Sequence, residues 1–147
     1  MDKLVAILEQ QEIEYEIIEH NKQLNSAQEG ADYFGISIGQ TAPTLILKSE
    51  KGFYALIVSG DHGKVDFATL RELLSVEQVK LASPQEVEEV TCSKIGNVSL
   101  INQGLLTILD RKLIRYEFVY GGTGHPLTTL KIRPSDLEKL NQIVDWI

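Results

Sequence analysis

"TAPTLILKSEKGFYALIVSGD", residues 41–61, decides how the chain folds. It holds two apolar runs, "TLIL" and "FYALIV", joined by the polar "KSEKG". Two such runs separated by a short turn predict a β-hairpin. Both runs are apolar at consecutive positions rather than alternate ones, so each strand is expected to be covered on both faces, at the centre of a sheet. Pro43 stands directly before the first run. A residue without an N–H suits the first position of a strand.

Outward from the hairpin, helix signals recur at intervals. Leu4, Ile7 and Leu8 share one side of a short N-terminal helix. Ser26-x-x-Glu29 opens another that stops near Gly35, Asp66 caps "FATLRELL", and Ser83-Pro84-x-Glu86 starts a third. Ser135-x-x-Glu138 is read as the cap of a C-terminal helix carrying Leu137, Leu140, Ile143 and Ile147. Strands are expected at "EYEIIEH", "QVKLA", "VSLIN", "LLTILD", "YEFVYGG" and "TTLKI". Tyr116, Phe118 and Tyr120 share one face of "YEFVYGG". Strands outnumber helices without regular alternation, which predicts an α+β domain on a curved, largely mixed or antiparallel sheet.

The chain has 147 residues, 43% of them hydrophobic and 24% charged, which fits one domain, residues 1–147, with a real core. Cys92 is the only cysteine, so no internal disulfide forms. With an acidic amphipathic N-terminus and no long apolar run, this fits a cytoplasmic protein without a membrane segment. His20, His62 and His125 are scattered and give no metal-ligand spacing. The net charge is −7. Residues 1–43 hold two basic and eight acidic side chains, and residues 134–147 hold one and three; the middle holds eleven and ten. The acidity thus belongs to the ends. A long nucleic-acid footprint is excluded, while a small anionic site in the middle is not.

Few residues advertise chemistry. "GGTGHP", Gly121–Pro126, follows a strand with small residues that let a backbone approach a ligand closely. On this loop alone, a plain glycine turn between two strands is the favoured reading. His125 beside it is a hydrogen-bonding and proton-accepting group. Ser99 lacks any nucleophile-elbow motif and reads more simply as a polar strand residue. Asp61 and Asp66 read as a turn aspartate and a helix cap. Lys48 reads as a solvated lysine of the hairpin.

The order and spacing of "PTLILKSEKGFYALIVSGDHGKVDFATLRELL", "SPQEVEEVTCSKIGNVSL", "LLTILDRKL" and "VYGGTGHPLTTLKIRPSDLEKL" resemble the YbaK/prolyl-tRNA synthetase-associated editing domains, over roughly the whole chain. The His-Pro-Leu after the "YEFVYGG" strand is most similar to the ProX-like branch. The resemblance implies a barrel-like mixed sheet with helices outside. It implies hydrolysis of the ester joining a wrong amino acid to the 3′ end of a tRNA, with no cofactor, metal or covalent intermediate. It implies as partners a tRNA acceptor end and an aminoacyl-tRNA synthetase. In the family a lysine before "TL" holds the tRNA terminus, backbone amides of a Gly-x-x-x-Pro loop stabilise the oxyanion, and a histidine shapes the amino-acid pocket.

Carried over, the lysine position holds Pro43. The loop falls on Gly96-Asn97-Val98-Ser99-Leu100, with leucine in place of proline. The resemblance assigns His125 and Ser99 to catalysis. It assigns Thr44, Gly60, Asp61, Gly96, Asn97, Val98, Gly121, Gly122, Thr123 and Gly124 to substrate binding, and the serine, His125 and the glycine loop to one pocket. Two alternatives stay open: a non-catalytic relative that binds an aminoacyl-tRNA end or an aminoacyl nucleotide, and a peptide-binding interaction module. Lys48 does not replace the missing lysine, because five positions separate it from Pro43 and strand side chains alternate with period two.

The charge distribution predicts how any tRNA contact responds to salt. Binding titrated against salt concentration should show a shallow slope, equivalent to about 1–3 phosphates neutralised. A slope typical of a large basic interface would contradict it.

Overall fold

The computed structural model describes residues 1–147. Five α-helices accompany eight strands: α1 Asp2–Gln10, β1 Tyr15–Glu19, α2 Ala27–Phe34, β2 Thr44–Ser49, β3 Gly52–Ile57, α3 Phe67–Leu74, β4 Val79–Leu81, α4 Pro84–Thr91, β5 Leu106–Leu109, β6 Val119–Gly121, β7 Thr128–Ile132, α5 Pro134–Leu140 and β8 Gln142–Trp146. Short 3₁₀ turns lie at Ile38–Gln40 and Arg111–Arg115. None of the helices is long and apolar enough to cross a membrane.

The hairpin is as expected. β2 and β3 pair antiparallel from Thr44↔Ile57 to Ser49↔Gly52. The Ser49 hydroxyl accepts from the Lys51 amide at 3.0 Å and donates to the Gly52 carbonyl at 3.0 Å, closing the turn. The pair lies inside a five-stranded sheet of order β4-β2-β3-β5-β8, with β3-β5 and β5-β8 parallel. Both faces are covered. Leu47, Tyr54 and Leu56 pack with Leu70 and Ile108 on one side. Ile46 and Ala55 pack with Ala82, Val87 and Val98 on the other.

The helix starts follow the sequence signals. Ser26 Oγ accepts from the Glu29 amide, and Gly35 ends α2 in the left-handed region. Asp66 accepts from the Ala68 and Thr69 amides. Ser83 and Glu86 form a reciprocal capping box. Each cap satisfies amides that the first helical turn leaves unpaired.

Four expectations are corrected. The sheet does not close into a barrel. A separate antiparallel sheet of order β1-β7-β6 stands beside the mixed one, and both are open. Two isolated bridges, Thr41↔Tyr120 and Ser99↔Gly122, tie the end of β6 to segments outside the named strands. Second, "VSLIN" is no strand. Ser99 Oγ accepts from the Ile101 amide, and Asn102 Nδ2 donates to the Ser99 carbonyl, so side chains replace a ladder there. Third, the "YEFVYGG" strand shortens to Val119–Gly121, because a 3₁₀ turn runs up to Tyr116.

Fourth, the C-terminal helix ends at Leu140, and Ser135 does not cap it; the N-cap position is Arg133, with Pro134 opening the first turn. Ile143 and Ile147 lie beyond the helix. Asn141 is extended, and Gln142–Trp146 forms β8 against β5.

Asn141 anchors that change of direction. Its buried amide donates to the Leu100 and Leu137 carbonyls at 2.9 and 3.1 Å and accepts from the Asn102 amide at 2.8 Å. Asn141→Ala leaves the Leu100 carbonyl and the Asn102 amide without partners, while the residue 141 backbone amide still serves the Leu137 carbonyl, and is expected to cost about 2–3 kcal/mol. Ser135→Ala should change stability by less than about 0.5 kcal/mol. Urea denaturation of the two variants checks both values.

Candidate functional site

The second edge of β6 changes partner along its length. The Ala42 amide donates to the Tyr120 carbonyl at 2.7 Å, and two residues later the Leu100 amide donates to the Gly122 carbonyl at 3.0 Å. The segments around Ala42 and Leu100 diverge, and cavities open between them. Glycine is required at 122, since a Cβ there would overlap the Val98 carbonyl oxygen. Gly96 has φ +89°, a conformation side chains resist.

The first cavity, about 200 Å³, is lined by Phe34, Tyr120, His20, Thr41, Asn97 and Thr128 among others, with His125 and Pro126 at one side. No Lys, Arg, Asp or Glu lines it. The Phe34 and Tyr120 rings lie 5.2 Å apart, centre to centre. His20 is buried; its Nδ1 lies 2.7 Å from the Lys22 carbonyl and its Nε2 3.1 Å from Thr129 Oγ1. A carbonyl can only accept, so Nδ1 carries the proton. A second cavity, about 230 Å³, lies on the apolar side and is lined by Ile46, Ala82, Val87 and Val98. Pro43, Gly96 and Gly122 belong to both walls. The amides of Gly96 and Val98 donate to no acceptor of the protein.

The structure brings together only some of the residues singled out in the sequence. Pro43, Gly96, Asn97, Gly121, Gly122 and His125 line the first cavity; Thr44 and Val98 line the second. Ser99 is outside both. It faces a cleft on the α1 side shared with Thr123, Gly124 and another side of His125. No hydrogen bond joins Ser99 to His125, whose Nε2 lies 3.0 Å from the Met1 amino nitrogen. Thr123 Oγ1 meets Thr128 Oγ1 at 2.6 Å and accepts from the His125 amide, so it braces the turn. The Gly124 amide donates to the Asn97 carbonyl at 2.8 Å.

Gly60 and Asp61 also lie away from both cavities. The Gly60 amide donates to the Thr41 carbonyl at 2.9 Å. Asp61 accepts from Arg115 at 2.9 Å and from the Ser59 hydroxyl at 2.7 Å. The Arg115 hydrogen bond, with the serine's, holds its carboxyl below the usual aspartate range. His20, Phe34 and Thr41 were not singled out as site residues. They come from three separate segments, and no local motif links them.

Lys48 is not a free cation. It pairs with Glu86, the acid of the α4 capping box. That bond, together with the Ser83 amide, brings the Glu86 carboxyl down to about 2. Because the folded value is depressed, the pair's contribution to stability is present above the ordinary glutamate value of 4.5 and is lost as pH falls toward 2. Lys48→Ala should raise the Glu86 midpoint in an NMR titration and flatten the acid limb of the stability curve. An unmoved midpoint would refute the pairing.

Comparison with known proteins bears on this arrangement. Residues 21–140 match the family model described as "Aminoacyl-tRNA editing domain". The chain is 25% identical over 142 residues to a proline–tRNA ligase of Thermosipho melanesiensis; that alignment covers 95% of the chain but only 24% of the ligase, so the chain spans about a quarter of that relative. It is 25% identical to the uncharacterized protein YwhH of Bacillus subtilis, covering 91% of this chain and 86% of that one. A crystal structure of a hypothetical protein superposes with TM-score 0.90 at 25% identity, covering 98% and 97% of the two chains. Another, described as a candidate trans-editing enzyme for prolyl tRNA synthetase, superposes with TM-score 0.83 at 28% identity, covering 97% and 94%.

Proposed function

The chain belongs to the aminoacyl-tRNA editing domain family, and on that premise we propose that it is a deacylase acting in trans on mischarged tRNA of the prolyl type. The pair of amides at Gly96 and Val98, which lack internal acceptors, carries this reading. They lie on loop residues that wall the two cavities. An ester carbonyl laid over that wall meets backbone donors fixed before the reaction begins.

In this reading the terminal adenosine enters the first cavity, where Phe34 and Tyr120 offer aromatic surface for the base. Asn97, Thr41 and Thr128 supply uncharged hydrogen-bonding groups. Water adds to the ester carbonyl carbon, and the amides hold the oxyanion. Collapse breaks the bond to the ribose oxygen, which takes up a proton and leaves as the tRNA hydroxyl. The proton of the attacking water passes to solvent; His125 stands at the side of the cavity with its Nε2 already accepting from the Met1 amino group, so its Nδ1–H is a donor that orients the ester. Ser99 plays no nucleophilic part in this scheme, and no acyl-enzyme forms. Its hydroxyl instead accepts from the Ile101 amide and helps hold the loop.

Pro43 favours a second reading, in which the site binds an aminoacyl end without turning it over. The family lysine would stand at this position on the wall of both cavities. The two readings separate in one assay, a panel of mischarged tRNAs incubated with purified protein. Release of the amino acid at a rate above the no-protein control is expected. His125→Ala should lower that rate by at least about tenfold, equivalent to about 1.4 kcal/mol of transition-state stabilisation. Pro43→Lys should raise it, and Lys48→Ala should leave it largely unchanged. Tight binding with no release by the wild type or Pro43→Lys would establish the binding reading instead.

A further inference from the structure

The hydrogen bonds around Gly60 and Asp61 reach the first cavity by way of its wall. Residues 39–43 form a rail along the turn that follows β3. The carbonyls of Gly39, Thr41 and Pro43 accept in succession from the Ser59 hydroxyl at 2.6 Å, the Gly60 amide at 2.9 Å and the Val58 amide at 3.1 Å. On its other side the rail is held to β6, where the Ala42 amide donates to the Tyr120 carbonyl. Thr41, Ala42 and Pro43 line the first cavity. Turn and rail are in close contact, since a Cβ at Gly60 would overlap Thr41 Oγ1 and the Ile38 carbonyl oxygen.

The turn is itself fixed at two points. Buried Asp110 accepts from the Ser59 amide at 2.9 Å and the Lys112 amide at 3.0 Å, and its carboxylate lies 2.9 Å from His62 Nδ1. Nearer the surface, Arg115 Nη2 donates to the two Asp61 oxygens at 2.9 and 3.0 Å and to Ser59 Oγ at 3.1 Å. This pair closes over Gly39, where a Cβ would come within 2.7 Å of the Asp61 carboxylate and 2.9 Å of Arg115 Nη2.

We infer that Asp61 and Arg115 are positioning residues: their ion pair holds the turn on the rail, and the rail sets where Thr41 and Pro43 stand on the cavity wall. The inference rests on the deacylase reading for the reaction affected. The two side chains are 34% and 45% exposed, so the pair adds little to stability by itself. Its effect is geometric. Phe34 and Tyr120 lie off the rail and keep their hold on the nucleoside, while the ester loses its alignment with the loop amides.

The test compares variants of the intact chain. Asp61→Ala and Arg115→Ala should lower kcat on a mischarged tRNA at least about tenfold, while KM stays within about threefold. Amide hydrogen exchange at Ala42, relative to that at Leu100, should quicken at least about tenfold, because the Leu100 bond to the Gly122 carbonyl does not depend on the turn. Gly39→Ala keeps both charges but pushes them off the rail, and should act in the same way. Arg115→Lys should restore both readouts, since a single nitrogen makes all three contacts. Asp66→Ala, which removes only the α3 cap, should lower thermal stability and move neither.

An unchanged exchange ratio in Asp61→Ala and Arg115→Ala overturns the inference, whatever happens to kcat. In an active protein, an unchanged kcat overturns it as well, and a raised KM beside that unchanged kcat would make the pair a substrate contact instead. Release of no amino acid by the wild type removes the deacylase reading, and the exchange ratio then decides by itself whether the pair positions the wall.

Discussion

Everything at the site depends on how the outer edge of β6 is paired. One edge of that strand joins β7 in a regular antiparallel ladder. The other is held first by the Ala42 amide and then by the Leu100 amide. Here two isolated bridges tie the antiparallel sheet to the segments around Thr41 and Ser99. A continuous ladder there would satisfy the backbone and leave no room for a ligand. The divided edge opens the two cavities and places a loop with unpaired amides between them. Gly122 permits it, because only a residue without Cβ fits against the Val98 carbonyl.

Charge is organised around the cavities rather than within them. Lys48 is engaged by Glu86, Arg115 by Asp61, and Arg133 by Glu14 and Glu117. The first cavity is left with neutral hydrogen-bonding groups, two aromatic rings and two histidines. Such a lining recognises a nucleoside by stacking and direct hydrogen bonds, and phosphates have little to hold them nearby. This fits a chain whose excess acid sits at its ends and whose middle is almost neutral.

The elements legible in the sequence were those with local signals. The β2–β3 hairpin shows as two apolar runs around a turn. The caps at Ser26, Asp66 and Ser83 show because side chain and amide lie within three residues. What escaped depends on distant partners. β8 reads as helix in the sequence because Ile143 and Ile147 continue the spacing of Leu137 and Leu140, and only pairing with β5 makes the segment a strand. The segment after Gly96 carries strand-forming residues, but Ser99 and Asn102 bond to the nearby backbone. At the site, family spacing pointed to Pro43, Gly96, Gly121, Gly122 and His125, which do converge. It also pointed to Gly60 and Asp61, which do not, and to Ser99, which meets Thr123, Gly124 and His125 in a separate cleft. His20 and Phe34 reach the cavity only through the packing of β1 and α2, which no short motif encodes.

The pairing of β1 with β7 has a consequence for how the chain assembles. Tyr15 lies against Ile132, 117 positions later. The β2–β3 hairpin closes across a two-residue turn. Loop-closure entropy rises with the length of chain enclosed, and contacts between distant residues form slowly. The hairpin can therefore nucleate early, whereas the antiparallel sheet must wait until nearly the whole chain is in place. His20 follows β1 directly, and its ring is fixed by Thr129 of β7. The cavity wall is thus completed by the last long-range closure, and a chain that stalls before it holds a mixed sheet without a binding site.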